Sequence, residues 1–289
     1  MITEESGLGT VITALVTPFD ASGGVDTDGF RSLLDHVTST GSDGVVIAGT
    51  TGEAPTLSDD EQIDLIATAV EHVGDRVCVI AGAGANDTAH AVRLTERSAA
   101  AGADAILSVT PYYNRPNERG IREHFKAVVN ASDLPVILYN IPTRTGTDMS
   151  DELCAELAAV HPTIRAIKQA RSGVPQPIEG LEIYAGDDER FAAALDAGAT
   201  GGILVASHIV GRLMREMVDS PERRAEVDAR LAPLIAALGV TVNPIPIKAA
   251  LDLLGLPSGT LRLPLVQADE RERATIRQAL IDFGLLGSD

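Results

Sequence analysis

Eight short apolar runs, separated by longer stretches with helical periodicity, are the feature that most constrains the fold of this chain of 289 residues. Each run is about five to nine residues long and rich in Val, Ile and Ala. Unbroken apolar character, as opposed to alternation, is typical of strands that are covered on both faces. The runs occupy residues 11–19, 44–49, 77–82, 105–110, 135–141, 164–168, 181–185 and 201–206.

The stretches between the runs carry apolar residues at helical spacing, most clearly over residues 27–39, 58–73, 87–101 and 118–130. Ser58 is followed by three acidic residues, a pattern that predicts an N-cap with a capping box. Eight β units, each followed by a helical segment, predict an α/β protein with a closed parallel (β/α)8 TIM barrel.

The main alternative is a doubly wound open sheet. It is disfavoured because the first turn from strand to helix lacks a G-x-G-x-x-G motif. After residue 220 the strand pattern stops, and residues 221–238, 246–254 and 268–285 have helical character. We therefore expect a catalytic barrel over residues 1–220 and a C-terminal helical region over residues 221–289, which is too small to be trusted as an independent domain.

Composition excludes several classes of function. The formal net charge of −18 leaves no basic stripe for nucleic acid. No apolar stretch reaches the roughly 18 residues needed to span a membrane, and the acidic N-terminus does not resemble a signal peptide. Two cysteines, Cys78 and Cys154, cannot form a cysteine-built zinc site, and the histidines show no metal-binding pattern. We expect a cytoplasmic protein that requires no metal.

Polar groups gather where the predicted strands end. Three of the chain's four tyrosines, Tyr112, Tyr113 and Tyr139, follow or close such runs. Active sites of parallel barrels lie at the carboxyl ends of the strands. This clustering therefore favours a functional site at that end.

Lys168 closes the sixth run, so we expect its side chain to lie inside the barrel mouth. Desolvation there favours the neutral amine, which can form a Schiff base with a carbonyl compound. The alternative is a structural lysine that pairs with a carboxylate such as Asp187, and placement alone does not decide between the two. The only other lysines, Lys126 and Lys248, are predicted to lie on a solvated helix and to be structural, respectively.

Four nearby groups complete the candidate site. The phenol of Tyr139, one strand before Lys168, could shuttle protons or merely pack. Arg144 could grip a carboxylate with two parallel hydrogen bonds or lie in a surface loop. The turn that contains Thr50 and Thr51 offers backbone N–H groups and two hydroxyls for a carboxylate or a proton relay. Glu53 follows this turn and could act as a base or orient the loop.

These motifs resemble those of the dihydrodipicolinate synthase family, which are Schiff-base (class I) aldolases, over nearly the whole chain. The family fold is a (β/α)8 barrel followed by a C-terminal helical region. The motifs are Gly49-Thr50-Thr51-Gly52-Glu53, Tyr112-Tyr113-Asn114-Arg115-Pro116, Tyr139-Asn140-Ile141-Pro142-Thr143-Arg144-Thr145-Gly146, Ile167-Lys168, Gly186-Asp187-Asp188 and Asn243-Pro244-Ile245-Pro246-Ile247-Lys248.

The resemblance implies catalytic roles. Lys168 would form the Schiff base with pyruvate, and Tyr139 would be the general acid and base. Thr51 and Tyr113 would complete a proton relay with Tyr139, and Tyr113 would be lent by a neighbouring subunit. Thr50 would hold the pyruvate carboxylate.

It also implies the second substrate and the assembly. Arg144 would bind the carboxylate of L-aspartate 4-semialdehyde, while Gly186 and Ile203 would supply backbone contacts near the lysine. The product would be 4-hydroxy-tetrahydrodipicolinate, on the route to diaminopimelate and lysine. The lysine–pyruvate imine would take the place of a cofactor, and the assembly would be a homotetramer built as a dimer of dimers.

Two other classes remain open. A sister pyruvate lyase or aldolase would act on a sugar acid of the N-acetylneuraminate or 2-keto-3-deoxy type. Such enzymes usually carry Ser where this chain has Thr50 and lack an arginine matching Arg144. A barrel that binds a ligand without catalysis is the other class, against which the set of Lys168, Tyr139 and Thr51 argues.

The chain departs from family members that are inhibited by lysine. Those members use histidines on the second helix and a glutamate on the third helix, whereas the matching positions here hold Asp59, Gln62 and His90. Asn86 and Tyr112 are retained. An imidazole cannot replace a carboxylate that grips an ammonium group. We therefore expect weak or absent feedback by L-lysine.

Overall fold

A computed structural model describes residues 7–287 and shows a closed barrel of eight parallel strands in sequential order. The predicted TIM barrel is confirmed, and the open doubly wound sheet is wrong. The strands are β1 (Val11–Ala14), β2 (Gly44–Ile47), β3 (Cys78–Gly82), β4 (Ala105–Val109), β5 (Val136–Asn140), β6 (Ile164–Gln169), β7 (Glu182–Ala185) and β8 (Gly201–Leu204).

Helices surround the barrel and continue beyond it. Ser58 accepts a hydrogen bond from the Glu61 amide and Glu61 accepts one from the Ser58 amide, so the predicted capping box is present. The helices are α1 (Thr27–Ser39), α2 (Asp59–Val73), α3 (Thr88–Ala100), α4 (Glu118–Val129), α5 (Pro142–Thr145), α6 (Asp151–Val160), α7 (Phe191–Asp196), α8 (Ser207–Asp219), α9 (Arg224–Leu238), α10 (Ile245–Leu253) and α11 (Glu270–Phe283).

One connection differs from the predicted alternation of strands and helices. Residues 170–181, which join β6 to β7, contain no helix. This segment holds Gly173, Pro175, Pro177 and Gly180, and both residue types disfavour a helix interior. The expectation that every strand is followed by a helix is therefore wrong at this one position.

Alternation along the strands sorts side chains between two apolar layers. Ala166 lies in the cluster inside the barrel together with Ile12, Ile80 and Ile203. Ile167, the next residue on β6, packs in the layer between the strands and the helices. Successive residues of a strand point to opposite faces, so Lys168 shares the inward face of Ala166.

The C-terminal helices pack directly on the barrel's outer layer. Met214 of α8, Leu231 of α9 and Ile276 of α11 belong to one buried cluster with residues of β8. The division at residue 220 stays a prediction, because the two parts share this apolar core. Within residues 7–287, no helix is both long and apolar enough to cross a membrane.

Candidate active site

Lys168 and Tyr139 lie side by side at the carboxyl ends of adjacent strands. Lys168 of β6 pairs in register with Tyr139 of β5, and its Nζ lies 4.6 Å from the centroid of the tyrosine ring. Only 5% of Lys168 is exposed. The barrel therefore holds an amine against the face of a phenol in a largely desolvated position.

The expected alternative partner of Lys168 is engaged elsewhere. Asp187 forms an ion pair of 2.5 Å with Arg190. Asp188 accepts hydrogen bonds from the backbone amides of Val205 and Ala206. Burial raises the pKa of Asp188 to about 6, while those amides and the charge of Lys168 act in the opposite direction. The pairing of Lys168 with Asp187 is thus wrong, and within residues 7–287 its Nζ makes no hydrogen bond or ion pair.

A cavity of about 380 Å³ opens in front of this amine. Its wall includes Lys168, Tyr139, Thr50, Thr51 and Arg144, together with apolar side chains and glycines. An enclosed apolar wall with a few converging polar groups is typical of a site for a small molecule. The structure therefore brings to one cavity five of the eight residues to which the family resemblance assigns a role.

The threonine turn is held in an unusual backbone conformation. Ala48 and Glu53, on either side of the turn, have positive φ values of 54° and 58° although neither is glycine. Gly82 on β3 passes so close that a Cβ there would lie 2.3 Å from the Ala48 carbonyl oxygen. Such strain persists only where the surroundings fix the backbone.

A buried ion pair supplies that fixation. Lys248 of α10 lies 2.7 Å from a Glu53 carboxylate oxygen, and both side chains have no exposed surface. The same Nζ donates to the carbonyl oxygens of Thr17 and Thr260. The other Glu53 oxygen accepts the backbone amide of Arg262. Glu53 does not line the cavity, so its carboxylate orients the loop, and Lys248 is structural as expected.

The C-terminal region also contributes a residue that sequence reasoning missed. Asn243, between α9 and α10, donates from Nδ2 to Oγ1 of Thr51 at 2.9 Å. Its backbone oxygen accepts a hydrogen bond of 3.3 Å from the Arg144 guanidinium. The only signal in the sequence was its place at the head of the motif that ends in Lys248.

Three of the residues to which the family resemblance assigns a role do not line the cavity. Tyr113 is 89% exposed, has a positive φ of 71° and is not part of the cavity wall of its own chain. Ile203 is fully buried inside the barrel, and the Gly186 amide donates to the Gln169 carbonyl oxygen. The predicted relay also lacks direct links, since among the described residues no hydrogen bond joins Tyr139 to Thr51 or Tyr113.

The side chains suited to binding a metal are dispersed. Across residues 7–287, no group of three or more His, Cys, Asp or Glu side chains is arranged to hold a metal ion. Burial raises the pKa of the Cys78 and Cys154 thiols to about 12. Both therefore remain protonated at neutral pH.

A model of the Dihydrodipicolinate synthetase family matches residues 7–282 of the chain. The chain belongs to this family. It is 43% identical to the 4-hydroxy-tetrahydrodipicolinate synthase of Moorella thermoacetica, over 96% of this chain and 99% of that protein. The family resemblance predicted from the motifs is confirmed, and the protein is accordingly an enzyme of the lyase class.

Solved structures of the dihydrodipicolinate synthase family superpose closely on the structure of this chain. The lysine-bound enzyme of Cyanidioschyzon merolae has a TM-score of 0.93 at 41% identity and covers 98% of this chain and 100% of its own. The enzyme of Acinetobacter baumannii, solved with pyruvate, has a TM-score of 0.93 at 37% identity and covers 96% of this chain and 100% of its own. All three relatives are synthases, and none of the three is a sugar-acid lyase.

Proposed function

We propose that this chain condenses pyruvate with L-aspartate 4-semialdehyde to 4-hydroxy-tetrahydrodipicolinate through an imine on Lys168. The observation that carries this proposal is the buried Lys168 amine, which faces Tyr139 at the cavity and within residues 7–287 forms no hydrogen bond or ion pair. An amine without an ion-pair partner keeps its lone pair available for a carbonyl carbon once it is neutral. Family membership supports the identity of both substrates.

The first half of the reaction builds the nucleophile. The Lys168 nitrogen attacks the keto carbon of pyruvate, and the carbinolamine loses water to give an iminium. Loss of a proton from the methyl carbon then gives an enamine. Tyr139 both donates and accepts hydrogen bonds, which suits it to exchange these protons. The imine takes the place of a metal or organic cofactor.

The pyruvate carboxylate needs hydrogen-bond donors near the lysine. Thr50 and Thr51 line the same cavity as Lys168, and the turn between β2 and α2 presents their hydroxyls. In the proposed assignment Thr50 holds the carboxylate, and Thr51 relays a proton together with Tyr139 and Tyr113. Backbone atoms of Gly186 and Ile203 contribute contacts on the lysine side.

The second half joins the substrates. The enamine carbon attacks the aldehyde carbon, Tyr139 donates a proton to the resulting alkoxide, and the substrate amine then adds to the imine carbon and expels Lys168. Arg144 provides a guanidinium for the semialdehyde carboxylate, since bidentate pairing suits this planar group. Arg144 is exposed where it lines the cavity, which supports its assignment to the second substrate.

Tyr113 can serve this site only from another copy of the chain. It is almost fully exposed, and its backbone is held at positive φ. A strained, solvent-facing aromatic suits a residue inserted into a neighbour's cavity. We therefore propose at least a dimer, and a dimer of dimers as the complete assembly.

The experiment is a direct assay of substrate use. The protein is incubated with pyruvate and L-aspartate 4-semialdehyde, and both are followed by proton NMR. We expect equimolar consumption of the two and no cleavage of N-acetylneuraminate or a 2-keto-3-deoxy acid. Cleavage of a sugar acid with no consumption of the semialdehyde would overturn the assignment.

We further propose that L-lysine inhibits this enzyme weakly or not at all. His90 lies 2.8 Å from Asp59, so that carboxylate already has a partner. The Gln62 amide donates to the Ala54 carbonyl oxygen. No unpaired carboxylate at these three positions is left for a ligand's ammonium group. Inhibition by millimolar L-lysine in the same assay would contradict this.

A further inference from the structure

Asn243 contacts two parts of the site that follow different strands of the barrel. Its side-chain amide contacts the Thr51 hydroxyl after β2, and its backbone carbonyl contacts Arg144 after β5. Within the proposed function, Thr51 serves pyruvate and Arg144 serves the semialdehyde. The side chain of Asn243 thus contacts a residue assigned to pyruvate, and its backbone contacts a residue assigned to the semialdehyde.

The direction of the amide hydrogen bond limits what the Thr51 hydroxyl can do. A hydroxyl has one hydrogen to donate and two lone pairs that accept. The Asn243 amide occupies one lone pair at 2.9 Å, so the hydroxyl hydrogen must point to another acceptor. Thr51 is 2% exposed, so bulk water offers little competition. The Thr51 hydroxyl is left with its hydrogen to donate and one lone pair to accept, and both can serve a molecule bound in the cavity.

The buried ion pair sets the geometry of this contact. Glu53 follows Thr51 two residues later, and Lys248 follows Asn243 five residues later. Since Glu53 and Lys248 are joined at 2.7 Å, both segments are anchored close to the hydrogen bond. The ion pair therefore fixes the segments that carry the amide and the hydroxyl relative to each other, without help from substrate.

From these contacts we propose that Asn243 is a positioning residue, which aims the Thr51 hydroxyl at the pyruvate half of the reaction. The inference rests on the proposed function. It assigns the C-terminal region a direct part in the site, because Asn243 lies outside the predicted barrel. Side-chain substitutions at 243 leave its backbone carbonyl, and hence the Arg144 contact, in place.

The test separates the two half-reactions. Asn243→Ala removes the amide, while Asn243→Asp keeps the shape but can only accept, which turns the Thr51 hydrogen away from substrate. We expect both variants to lower kcat/KM for pyruvate by about 10- to 100-fold, which corresponds to leaving the buried Thr51 hydroxyl without its partly buried hydrogen-bond donor. The KM for L-aspartate 4-semialdehyde should change by less than about twofold, because the Arg144 contact uses the backbone.

A cycle with Thr51 tests whether the effect passes through that hydroxyl. The rate of borohydride trapping with pyruvate is measured for Thr51→Val, Asn243→Ala and the double variant. If Asn243 acts through Thr51, the second substitution adds little to the first. Additive losses, or equal rises in both KM values with a lower Tm, indicate a purely structural role and overturn the inference.

The wild-type protein keeps this test separate from that of the proposed function. If the wild type traps pyruvate and consumes the semialdehyde while both Asn243 variants match it, the positioning role is refuted and the proposed function stands. Failure of the wild type in both assays refutes the proposed function instead. Thr51→Ser keeps a hydroxyl, unlike Thr51→Val. In the Thr51→Ser background, Asn243→Ala should therefore again lower the trapping rate.

Discussion

Two of the three lysines in this chain are buried at the mouth of the same barrel, and they have opposite surroundings. Lys168 and Lys248 each lie 4.6 Å from an aromatic ring centroid, that of Tyr139 and that of Phe19 respectively. Lys248 is bound by a carboxylate and two carbonyl oxygens, whereas within residues 7–287 Lys168 has no such partner. Both lysines are buried, so it is the presence or absence of hydrogen-bonding oxygen atoms that distinguishes their roles.

The contrast separates a structural cation from a nucleophile. Burial lowers the pKa of Lys248, and Glu53 acts in the opposite direction by hydrogen bonding to the ammonium group. The nitrogen donates all three of its hydrogens to oxygen acceptors, so none of its bonding capacity remains for a substrate. Lys168 instead faces an open cavity. Position near an active site is thus insufficient to identify a catalytic lysine.

The largest expected effect comes from removing the amine of Lys168. Lys168→Ala should lower kcat by about 10³-fold or more, because the covalent route is lost. The free energy of unfolding should change little by comparison, since within residues 7–287 the Lys168 amine forms no hydrogen bond or ion pair that the substitution would break. Steady-state assay and urea unfolding test this. If the Lys168→Ala variant kept activity within tenfold of wild type, the claim that Lys168 is the nucleophile and Lys248 is structural would be contradicted.

The next effect concerns stability at Lys248. Lys248→Met leaves Glu53 buried without its partner and should lower the free energy of unfolding by about 3–5 kcal/mol. Adding Glu53→Gln should restore part of that loss. Lys126→Met on the exposed face of α4 is the matched control and should change little. A loss below about 1 kcal/mol for Lys248→Met would contradict the structural role.

Part of the acid sensitivity of the fold should come from two buried histidines, beside the contribution of carboxyl groups such as Glu61, whose pKa the Arg262 guanidinium lowers to about 2. In His208, Nδ1 donates to the Val205 oxygen and Nε2 accepts the Val16 amide, an arrangement that requires the neutral ring. Burial lowers the pKa of His208 to about 4, as it does for His124. The unfolded chain binds protons first, so stability present above pH 6.5 is lost as the pH falls towards 4.

The expected loss is up to about 3 kcal/mol for each of these histidines. Urea unfolding of the wild type and His208→Gln between pH 7 and 4 measures it. The variant should show a shallower dependence on pH, and the partly exposed His161→Gln should retain the wild-type slope. Equal slopes for all three proteins would contradict the assignment.

The smallest effect is expected at Arg144, which lines the same cavity as Lys168 but takes no part in imine formation in the proposed assignment. Arg144→Ala should raise the KM for L-aspartate 4-semialdehyde by about 10- to 100-fold, because a carboxylate loses its bidentate partner. The rate of pyruvate trapping should not change. Arg122→Ala, which removes a surface pair with Glu156, is the control. A slower trapping rate in Arg144→Ala would contradict the proposal that Arg144 serves the semialdehyde and takes no part in imine formation.

Local patterns were sufficient to predict the barrel and the orientation of Lys168. Short apolar runs define strands, and parity along a strand sets which side chains face inward. The missing helix between β6 and β7 could also have been predicted, since the prolines and glycines of residues 170–181 were visible.

The remaining contacts depend on residues far apart in the chain. Glu53 and Lys248 are separated by 195 positions, and Asn243 and Thr51 by 192. No periodicity or spacing encodes such pairs, because they arise when the C-terminal helices pack against the barrel mouth. The contacts of Tyr113 are harder still to predict from the sequence, since the proposal places the Tyr113 side chain in the cavity of a second copy of the chain.

Borohydride reduction in the presence of pyruvate, followed by peptide mass mapping, tests most directly whether one of the two buried amines reacts. We predict a single reduced adduct on the peptide that contains Lys168, with Lys248 and Lys126 unmodified. An adduct on Lys248, or no adduct at saturating pyruvate, would contradict the claim that Lys168, which within residues 7–287 forms no hydrogen bond or ion pair, is the nucleophile.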